Sequence, residues 1–335
     1  MAKKTATTAK KVPISLQAEM QRGGQFCSHL VFSPDTQRLV ACSNDRKIHL
    51  YDVATNERIA IIQEHSSSVD AIAFSPNSQR FVTISQKANG HTAKGGELLI
   101  CQAKDGKVME RVAIGPEVED VEFLSLVFTP NGKSLVSVIY NGTENYDGDE
   151  TQIITRDSTS GKIISRSPTT TISQIAMSPN GNSLVAAGNG EVLLLDFPEV
   201  LIIRREIKLA GRVRSVAYAP DRKSVAAVDQ DHTVHLFSVA TGRRLAKFSE
   251  PKLDVQHVQF SSDGKLLATI GVTMHGSSPA PVRIWDLKSK KLVAAFAGRT
   301  GVEKPSGFPG SCALSADLKL FANAGTRTRL WTVGL

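Results

Sequence analysis

The chain has little of what most membrane proteins require. Aromatic residues make up 6% of its 335 residues, and no apolar run reaches the length of a membrane span. The N-terminus carries lysines but no apolar segment after them, so it does not resemble a secretory signal. From these absences we expect a cytoplasmic protein.

Cysteine is equally scarce. The four cysteines, Cys27, Cys42, Cys101 and Cys312, fall in four separate apolar stretches, and none belongs to a Cys-x-x-Cys pair. A zinc ribbon needs closely spaced pairs, and a disulfide framework is typical of short secreted chains with many cysteines. We therefore expect buried free thiols in a reducing compartment.

Catalytic motifs are also missing. There is no Gly-x-Ser-x-Gly elbow. Residues 131–134 imitate the end of a phosphate-binding loop, but Val127 stands where that loop requires its leading glycine. His232 and His235 are spaced so that a strand would direct their rings to opposite sides. We expect no catalytic residues, no metal and no cofactor.

One short sequence motif, in contrast, occurs seven times. Each copy joins an apolar strand to a turn of the Ser-Pro-Asp type, in which proline presets φ and the acid or amide binds its own backbone. The copies are residues 32–35, 74–77, 128–131, 177–180, 218–221, 260–263 and 314–317. They recur every 41 to 54 residues. A period of this length predicts one small antiparallel sheet per repeat, stable only when stacked on its neighbours.

Here the sequence resembles the WD-repeat β-propellers over nearly its whole length. Residues 65–76 run without a gap from His65 through the family's strand phrase, and Trp285-Asp286 is the dipeptide that names the family. Asp45 and Asp231 stand where the family places its turn aspartate, while Cys101 replaces the tryptophan in the repeat of His65. The resemblance implies an all-β fold, a seven-bladed β-propeller of four-stranded antiparallel blades, with Trp285 and Trp331 inside their blades.

The last repeat is one strand short at Leu335. Residues 12–18 alternate apolar and polar side chains, and we expect them to supply this outer strand and close the ring. The predicted organisation is therefore a basic, disordered tail at residues 1–11 and a single propeller at residues 12–335.

The net charge of +8 is concentrated at the N-terminus. Lys3, Lys4, Lys10 and Lys11 supply +4 in a tail without acids, which leaves +4 for the remaining 324 residues. Such a tail is either simply solvated or makes weak, salt-sensitive contact with nucleic acid.

Long connections are predicted on one face of the disc, where function usually resides. Residues 85–96, 140–150 and 271–281 read as second-to-third loops, and residues 300–310 join blades six and seven. Lys87 and His91 make the blade-two loop basic, and Phe308 is a candidate anchor. The blade-three loop is acidic, through Glu144, Asp147, Asp149 and Glu150. These acids either dock a basic partner or are solvated.

In the family, residues that begin the inner strands surround the mouth of the central channel and often touch partners. Asp70, Arg214 and His257 take those positions here. The structural alternative is that they bond neighbouring blades.

Three functions remain open. The favoured one is a non-catalytic scaffold that docks protein partners on its loop-rich face, within a multi-subunit complex. The second is a subunit of a nucleoprotein assembly, with phosphate contacts from the tail and from Arg204, Arg205, Lys208, Arg212 and Arg214. The third is an enzyme acting at the channel mouth, where His29 and His257 would join Asp70.

Overall fold

The computed structural model describes residues 10–11, 14–21, 27–89, 92–119, 121–141, 151–167, 171–198, 202–249, 253–273, 281–297, 312–324 and 327–335. These residues form seven antiparallel sheets, which confirms the predicted all-β propeller. Six of the sheets have four strands and one has five, and the inner strand of each sheet lines a central channel of about 950 Å³.

The first four blades follow the chain without interruption. Blade one contains β3 (Cys27–Phe32), β4 (Arg38–Ser43), β5 (Ile48–Asp52) and β6 (Arg58–Ile62). Blade two contains β7 (Val69–Phe74), β8 (Arg80–Asn89), β9 (Thr92–Gln102) and β10 (Val108–Glu119). Blade three contains β11 (Val121–Phe128), β12 (Ser134–Asn141), β13 (Thr151–Asp157) and β14 (Ile163–Arg166). Blade four contains β15 (Gln174–Met177), β16 (Ser183–Ala187), β17 (Asn189–Asp196) and β18 (Ile203–Arg212).

The remaining blades use both ends of the described chain. Blade five contains β19 (Ser215–Tyr218), β20 (Ser224–Val228), β21 (Val234–Ser238) and β22 (Arg244–Phe248). Blade six contains β23 (Leu253–Phe260), β24 (Leu266–Thr273), β25 (Pro281–Asp286) and β26 (Lys291–Ala297), with β1 (Lys10–Lys11) on its outer edge. Blade seven contains β27 (Cys312–Leu314), β28 (Leu320–Ala324), β29 (Arg327–Val333) and β2 (Ile14–Gln21).

The N-terminal strand closes the ring as predicted. β2 pairs antiparallel with β29, with Ile14 opposite Val333 and Gln21 opposite Arg327. The strand runs from Ile14 to Gln21, so it begins two residues later and ends three residues later than the predicted segment at residues 12–18. Lys10 and Lys11 pair in parallel with Ala294 and Ala295 of β26. The last two residues of the predicted tail therefore lie on blade six, and residues 1–9 are outside the described part.

A hydroxyl at the first turn position explains why the repeated phrase folds as it does. In blade one, Ser33 donates to Asp35 at 2.6 Å and accepts the amide of Arg38 at 2.9 Å. The buried hydroxyl thereby satisfies the backbone at the start of the second strand. The same side-chain bond recurs from Ser75, Thr129, Ser178, Ser261 and Ser315. These turns lie on one face of the disc, which we call the turn face.

Apolar side chains fill the spaces between blades. Leu98 and Ile100 of blade two pack in one cluster with Phe123 and Leu135 of blade three, all essentially inaccessible to solvent. Each further cluster likewise joins two adjacent blades, as a propeller requires, because a single four-stranded sheet cannot bury both of its faces. The described part of the chain contains no helix with the length and apolar character needed to cross a membrane.

Candidate functional site

The face opposite the turn face carries the starts of the inner strands, and we call it the mouth face. Its most prominent described feature is blade two. β8 and β9 continue their ladder beyond Ser85 and Glu97 to the pairs Ala88–Ala93 and Asn89–Thr92. Residues 85–96 were predicted to be a loop, and that prediction is wrong for most of them. They form a projecting hairpin that contains Lys87 in β8, whereas His91 lies outside the described residues.

The outer strand of blade two follows this hairpin. β10 extends to Glu119, which pairs with Lys94 of β9, and β11 of blade three begins directly afterwards at Val121. An acidic and a basic residue, Glu119 and Lys94, therefore stand opposite each other in this ladder. Both strands extend the sheet on the mouth face.

Asp70 fixes the base of this hairpin. Its Oδ2 accepts the backbone amide of Gln86 at 2.9 Å, which ties the inner strand β7 to the first residue of the hairpin. Burial raises the pKa of Asp70 to about 6, and the negative charge of Glu122 adds to the shift. Asp70 is half-buried and Glu122 is exposed. Together they form an acidic notch beside the channel mouth.

Two histidines also face the channel. His29 and His257 both line it, and burial lowers the pKa of each below the usual value. For His29 the second cause is the neighbouring His257, which places the two imidazoles close together. His257 keeps an exposed surface because it projects into the open channel, yet the surrounding inner strands limit its hydration. Both rings are therefore uncharged near neutral pH. Arg214 begins the blade-five inner edge, where its amide donates to Val228 O at 2.8 Å.

A buried polar network supports the hairpin from within blade two. His65 Nε2 lies 2.8 Å from Thr83 Oγ1, and its Nδ1 lies 2.8 Å from Ser85 Oγ. Glu97 of β9 approaches His65 Nδ1 at 3.6 Å and accepts from Ser66 Oγ at 3.2 Å. Burial lowers the pKa of His65 to about 4, so the ring is neutral near pH 7.

Arg111 continues the network to the rim. Its guanidinium lies 3.5 Å from Glu97 Oε2 and also pairs with Glu64. Blade two lacks the turn aspartate and the tryptophan of the repeat, and Glu97 supplies the missing carboxylate from the third strand. The sequence offers one signal for this role, an acid at the start of the otherwise apolar run at residues 98–101.

The other structural positions differ in environment. Trp331 is buried and donates from Nε1 to Asn323 Oδ1 at 2.7 Å, whereas Trp285 is half-buried and reaches Thr269 Oγ1 at 3.4 Å. Asp286 accepts the amide of Ser289 at 2.6 Å and so shapes the turn after its strand. Asp45 accepts the amide of Lys47 at 3.3 Å in an exposed turn.

In blade five the buried turn acid is Asp229, not Asp231. Asp229 accepts the amide of Thr233 at 2.9 Å and contacts His235 Nε2 at 2.7 Å. Asp231 is exposed. Sequence reasoning missed Asp229 because the position two residues later matches the family spacing.

The sequence-adjacent basic residues do not form one patch. Arg204 pairs with Asp196 at 2.6 Å, and Lys208 contacts Glu191 at 3.4 Å and also Glu206. Arg205 donates to Ala240 O of blade five at 3.0 Å. Arg212 ends β18 at the mouth face, and Arg214 follows it at the inner edge of blade five. The described residues of this segment therefore do not form the row of unpaired cations that a nucleic-acid backbone requires.

Six of the candidate positions lie outside the described residues. They are His91, Glu144, Asp147, Asp149, Glu150 and Phe308. Within the described residues, no group of three His, Cys, Asp or Glu side chains could hold a metal ion.

Seven blades arranged in a ring around a channel place the fold in the class of repeat propellers. Blade two also contains a buried, hydrogen-bonded histidine. The family model for the "WD domain, G-beta repeat" matches residues 19–52, 56–108 and 205–238. Three segments of the chain therefore match the WD repeat, and the chain as a whole has the fold of a seven-bladed β-propeller.

Two individual proteins illustrate the likeness. The chain is 33% identical over 94 residues to "Pre-mRNA-processing factor 19 homolog 2" of Arabidopsis thaliana, a stretch that covers 28% of this chain and 17% of that relative. It also resembles the crystal structure of the β-propeller domain of Cps50 (Swd1) from Myceliophteria thermophila, with a TM-score of 0.73. That match covers 96% of this chain and 100% of the other at 17% identity, and it shows the fold alone.

Proposed function

We propose that the propeller is a non-catalytic docking platform that holds protein partners on its mouth face, with blade two as the principal contact. The observation that carries this proposal is the long ladder of β8 and β9, which continues past the base of the hairpin to the Asn89–Thr92 pair. Paired strands on a rigid ring present a preformed surface, so a partner binds it without first ordering a loop.

The acidic notch indicates the chemistry of the partner. Asp70 is held in place by the amide of Gln86, and the charge of Glu122 disfavours its ionisation. A cationic side chain placed between them would relieve this repulsion and satisfy both carboxylates. We therefore propose a partner that presents lysine or arginine at the channel mouth, beside the hairpin.

Two variants of the mouth face and one control test this function. The first variant is Asp70→Asn with Glu122→Gln, which keeps the shape and removes the charge. The second replaces residues 86–95 by a tight turn. The control, Glu57→Gln with Asp105→Asn, makes the same charge change on the turn face, where both side chains are exposed.

The measurement is affinity purification from the native host followed by mass spectrometry. We expect a stoichiometric partner that is lost in both mouth-face variants and kept by the control. A partner set that is the same for all four proteins would contradict the proposal. Recovery of nucleic acid alone, released by salt, would contradict it as well and would support the nucleoprotein alternative.

A further inference from the structure

The turn face contains a second cavity, at the seam between blades four and five. It encloses about 400 Å³. Asn182, Ser183 and Tyr218 contribute to its wall, and Arg204, Arg222 and Lys223 add basic side chains. This cavity lies on the opposite side of the disc from the proposed docking surface, so an inference from it goes beyond that function.

At this seam the second strand of blade four begins with a serine, as it does in blades three and five, whereas in blades one and two it begins with an arginine. The first residue of β4 is Arg38, which reaches across to blade two and donates to Ala103 O at 3.3 Å. The first residue of β8 is Arg80, which reaches across to blade three and donates to Ser158 O at 3.3 Å. The equivalent first residue of β16 is Ser183, whose hydroxyl extends only to Tyr218 OH of blade five, at 3.2 Å. The seam beyond Ser183 is therefore left open.

A bulge in the outer strand directs a cation to this opening. In β18, Arg205 pairs with Leu194 and Ile203 pairs with Leu195, which leaves Arg204 as the extra residue. A bulge changes the direction of its side chain. The matching bulge residue is apolar in five other blades, namely Ile59, Met109, Ile164, Leu245 and Val293. Blade four alone has an arginine there.

The adjacent turn of blade five adds two more cations. Arg222 and Lys223 are both exposed, and no acidic side chain lies within ion-pair distance of either among the residues that the structure describes. Arg204, in contrast, is already paired with Asp196 at 2.6 Å. The opening therefore has two cations without an acidic partner and one that is shared.

The wall of the cavity is suited to a carboxylate. The hydroxyls of Ser183 and Tyr218 and the amide side chain of Asn182 are hydrogen-bond donors, and the cations stand at the rim. Directly before Arg204, Ile202 and Ile203 are 57% and 55% exposed. Polar donors, basic side chains and adjacent apolar side chains together favour a peptide in which an acidic residue is followed by an apolar one.

We propose that this cavity, which we call the seam pocket, binds an acidic segment of a protein partner, with a carboxylate among Ser183, Arg222 and Lys223. A nucleic-acid backbone fits less well, because Asp196, Asp221 and Glu206 interrupt the cations along this edge. Of these acids only Asp221 lines the pocket, so a short acidic segment can place one carboxylate at Arg222 and Lys223, whereas a continuous phosphate chain would also meet Asp196 and Glu206.

Filling the pocket gives the sharpest test. Ser183→Arg places in this seam the residue that Arg38 and Arg80 place in theirs, and it adds positive charge. If attraction were merely electrostatic, this variant would bind an acidic peptide more tightly than the parent. Arg222→Gln with Lys223→Gln removes the two unpaired cations and keeps the pocket open. Lys133→Gln with Lys265→Gln is the matched control, because these lysines occupy the position of Lys223 in the turns of blades three and six.

The probe is a fluorescein-labelled peptide that alternates glutamate and leucine, measured by fluorescence anisotropy at about 0.15 M salt. We expect the parent to bind it, the control to differ by less than about twofold, and both pocket variants to bind at least about tenfold more weakly. The same peptide with glutamine in place of glutamate should bind at least about tenfold more weakly to the parent. Melting curves of the four proteins confirm that each is folded.

Three results would overturn the proposal. The first is no measurable binding to the parent, and the second is equal binding to all four proteins. The third is tighter binding of the acidic peptide to Ser183→Arg than to the parent. A labelled oligouridine that binds the parent more tightly than the peptide, and is lost in the same variants, would identify a nucleic-acid site instead. A failure of partner capture on the mouth face leaves these predictions unchanged.

Discussion

Blades two and seven fill the same register position in different ways. In blade seven Trp331 stands opposite Phe321, is buried, and bonds to Asn323 within its own blade. In blade two Cys101 stands opposite Phe81, and the polar contacts move to His65, Ser85 and Glu97. The fold tolerates either solution because both satisfy the buried groups. The two blades thus bury this register position with different chemistry, an aromatic side chain in blade seven and a polar network in blade two that lies below the proposed docking surface.

The largest effect is expected at the seam of blade seven. Removing residues 1–18 deletes five of the eight residues of β2, so β29 loses most of its partner strand and we expect the ring to open. We expect a loss of about 5 kcal/mol or more in the free energy of unfolding, which approaches the whole stability of a typical domain. Removing residues 1–11 loses only the two pairs of β1 and should cost far less. Urea unfolding of both truncations gives the comparison, and similar losses would contradict this account of ring closure.

The second effect is expected at Trp331. Truncation to alanine leaves a cavity in a closely packed blade and removes the partner of Asn323, and should cost about 3–5 kcal/mol. Trp285→Ala should cost less, because Trp285 is half-buried and its contact with Thr269 is longer. Urea unfolding of the two variants tests this order. A larger loss of stability for Trp285→Ala than for Trp331→Ala would show that the exposed fraction of these side chains does not predict their contributions to stability.

The third effect concerns the network of blade two. Glu97→Ala removes the acceptor of Ser66 and the carboxylate between His65 and Arg111, and should cost about 1–3 kcal/mol. Glu97→Gln keeps an acceptor oxygen and should cost less than the alanine variant. Equal stability of Glu97→Ala and the parent in urea would mean that the network does not support the blade.

The smallest effect is a pH dependence at Asp70. Because burial raises its pKa from 3.8 to about 6, the folded state binds more protons than the unfolded state between these values. The contribution of Asp70 to stability is therefore fully present below about pH 4 and is lost as the pH rises through about 6. Asp70→Asn keeps an acceptor for Gln86 without this cost. We expect its stability relative to the parent to increase from pH 4 to pH 7, and a difference independent of pH would contradict the assignment.

The pKa shift of His65, in the same blade, changes the stability with pH in the opposite direction. Its pKa is lowered from 6.5 to about 4, so the unfolded state binds more protons in that window and stability falls on acidification. In the parent the two contributions partly cancel. The Asp70→Asn variant should therefore lose stability more steeply than the parent as the pH falls from 6 to 4.

The fold could be predicted from the sequence because it depends on a repeated local pattern. The hydroxyl of Ser33 and its equivalents, the proline after it and the apolar strands on both sides act within a few residues. The outer strand of blade seven was predictable for a related reason, since the last repeat lacks one strand and residues 14–21 alternate.

The candidate sites were harder to predict because they depend on contacts between distant segments. Residues 85–96 contain glycine, lysine and threonine and read as a loop, yet the ladder of β8 and β9 continues through most of them. Glu97 and His65 are 32 positions apart, and no local pattern links them. The seam pocket is lined by Ser183 and Arg204 of blade four and by Tyr218, Arg222 and Lys223 of blade five, so it appears only when the blades are assembled.

The most direct test of the docking proposal is site-specific photocrosslinking in the native host. A benzophenone amino acid replaces Gln86 at the base of the hairpin in one protein and Thr55 in a turn of the opposite face in another. We predict that a protein partner crosslinks from position 86 and is absent from position 55. No crosslink from position 86, or the same products from both positions, would contradict the claim that blade two presents the docking surface.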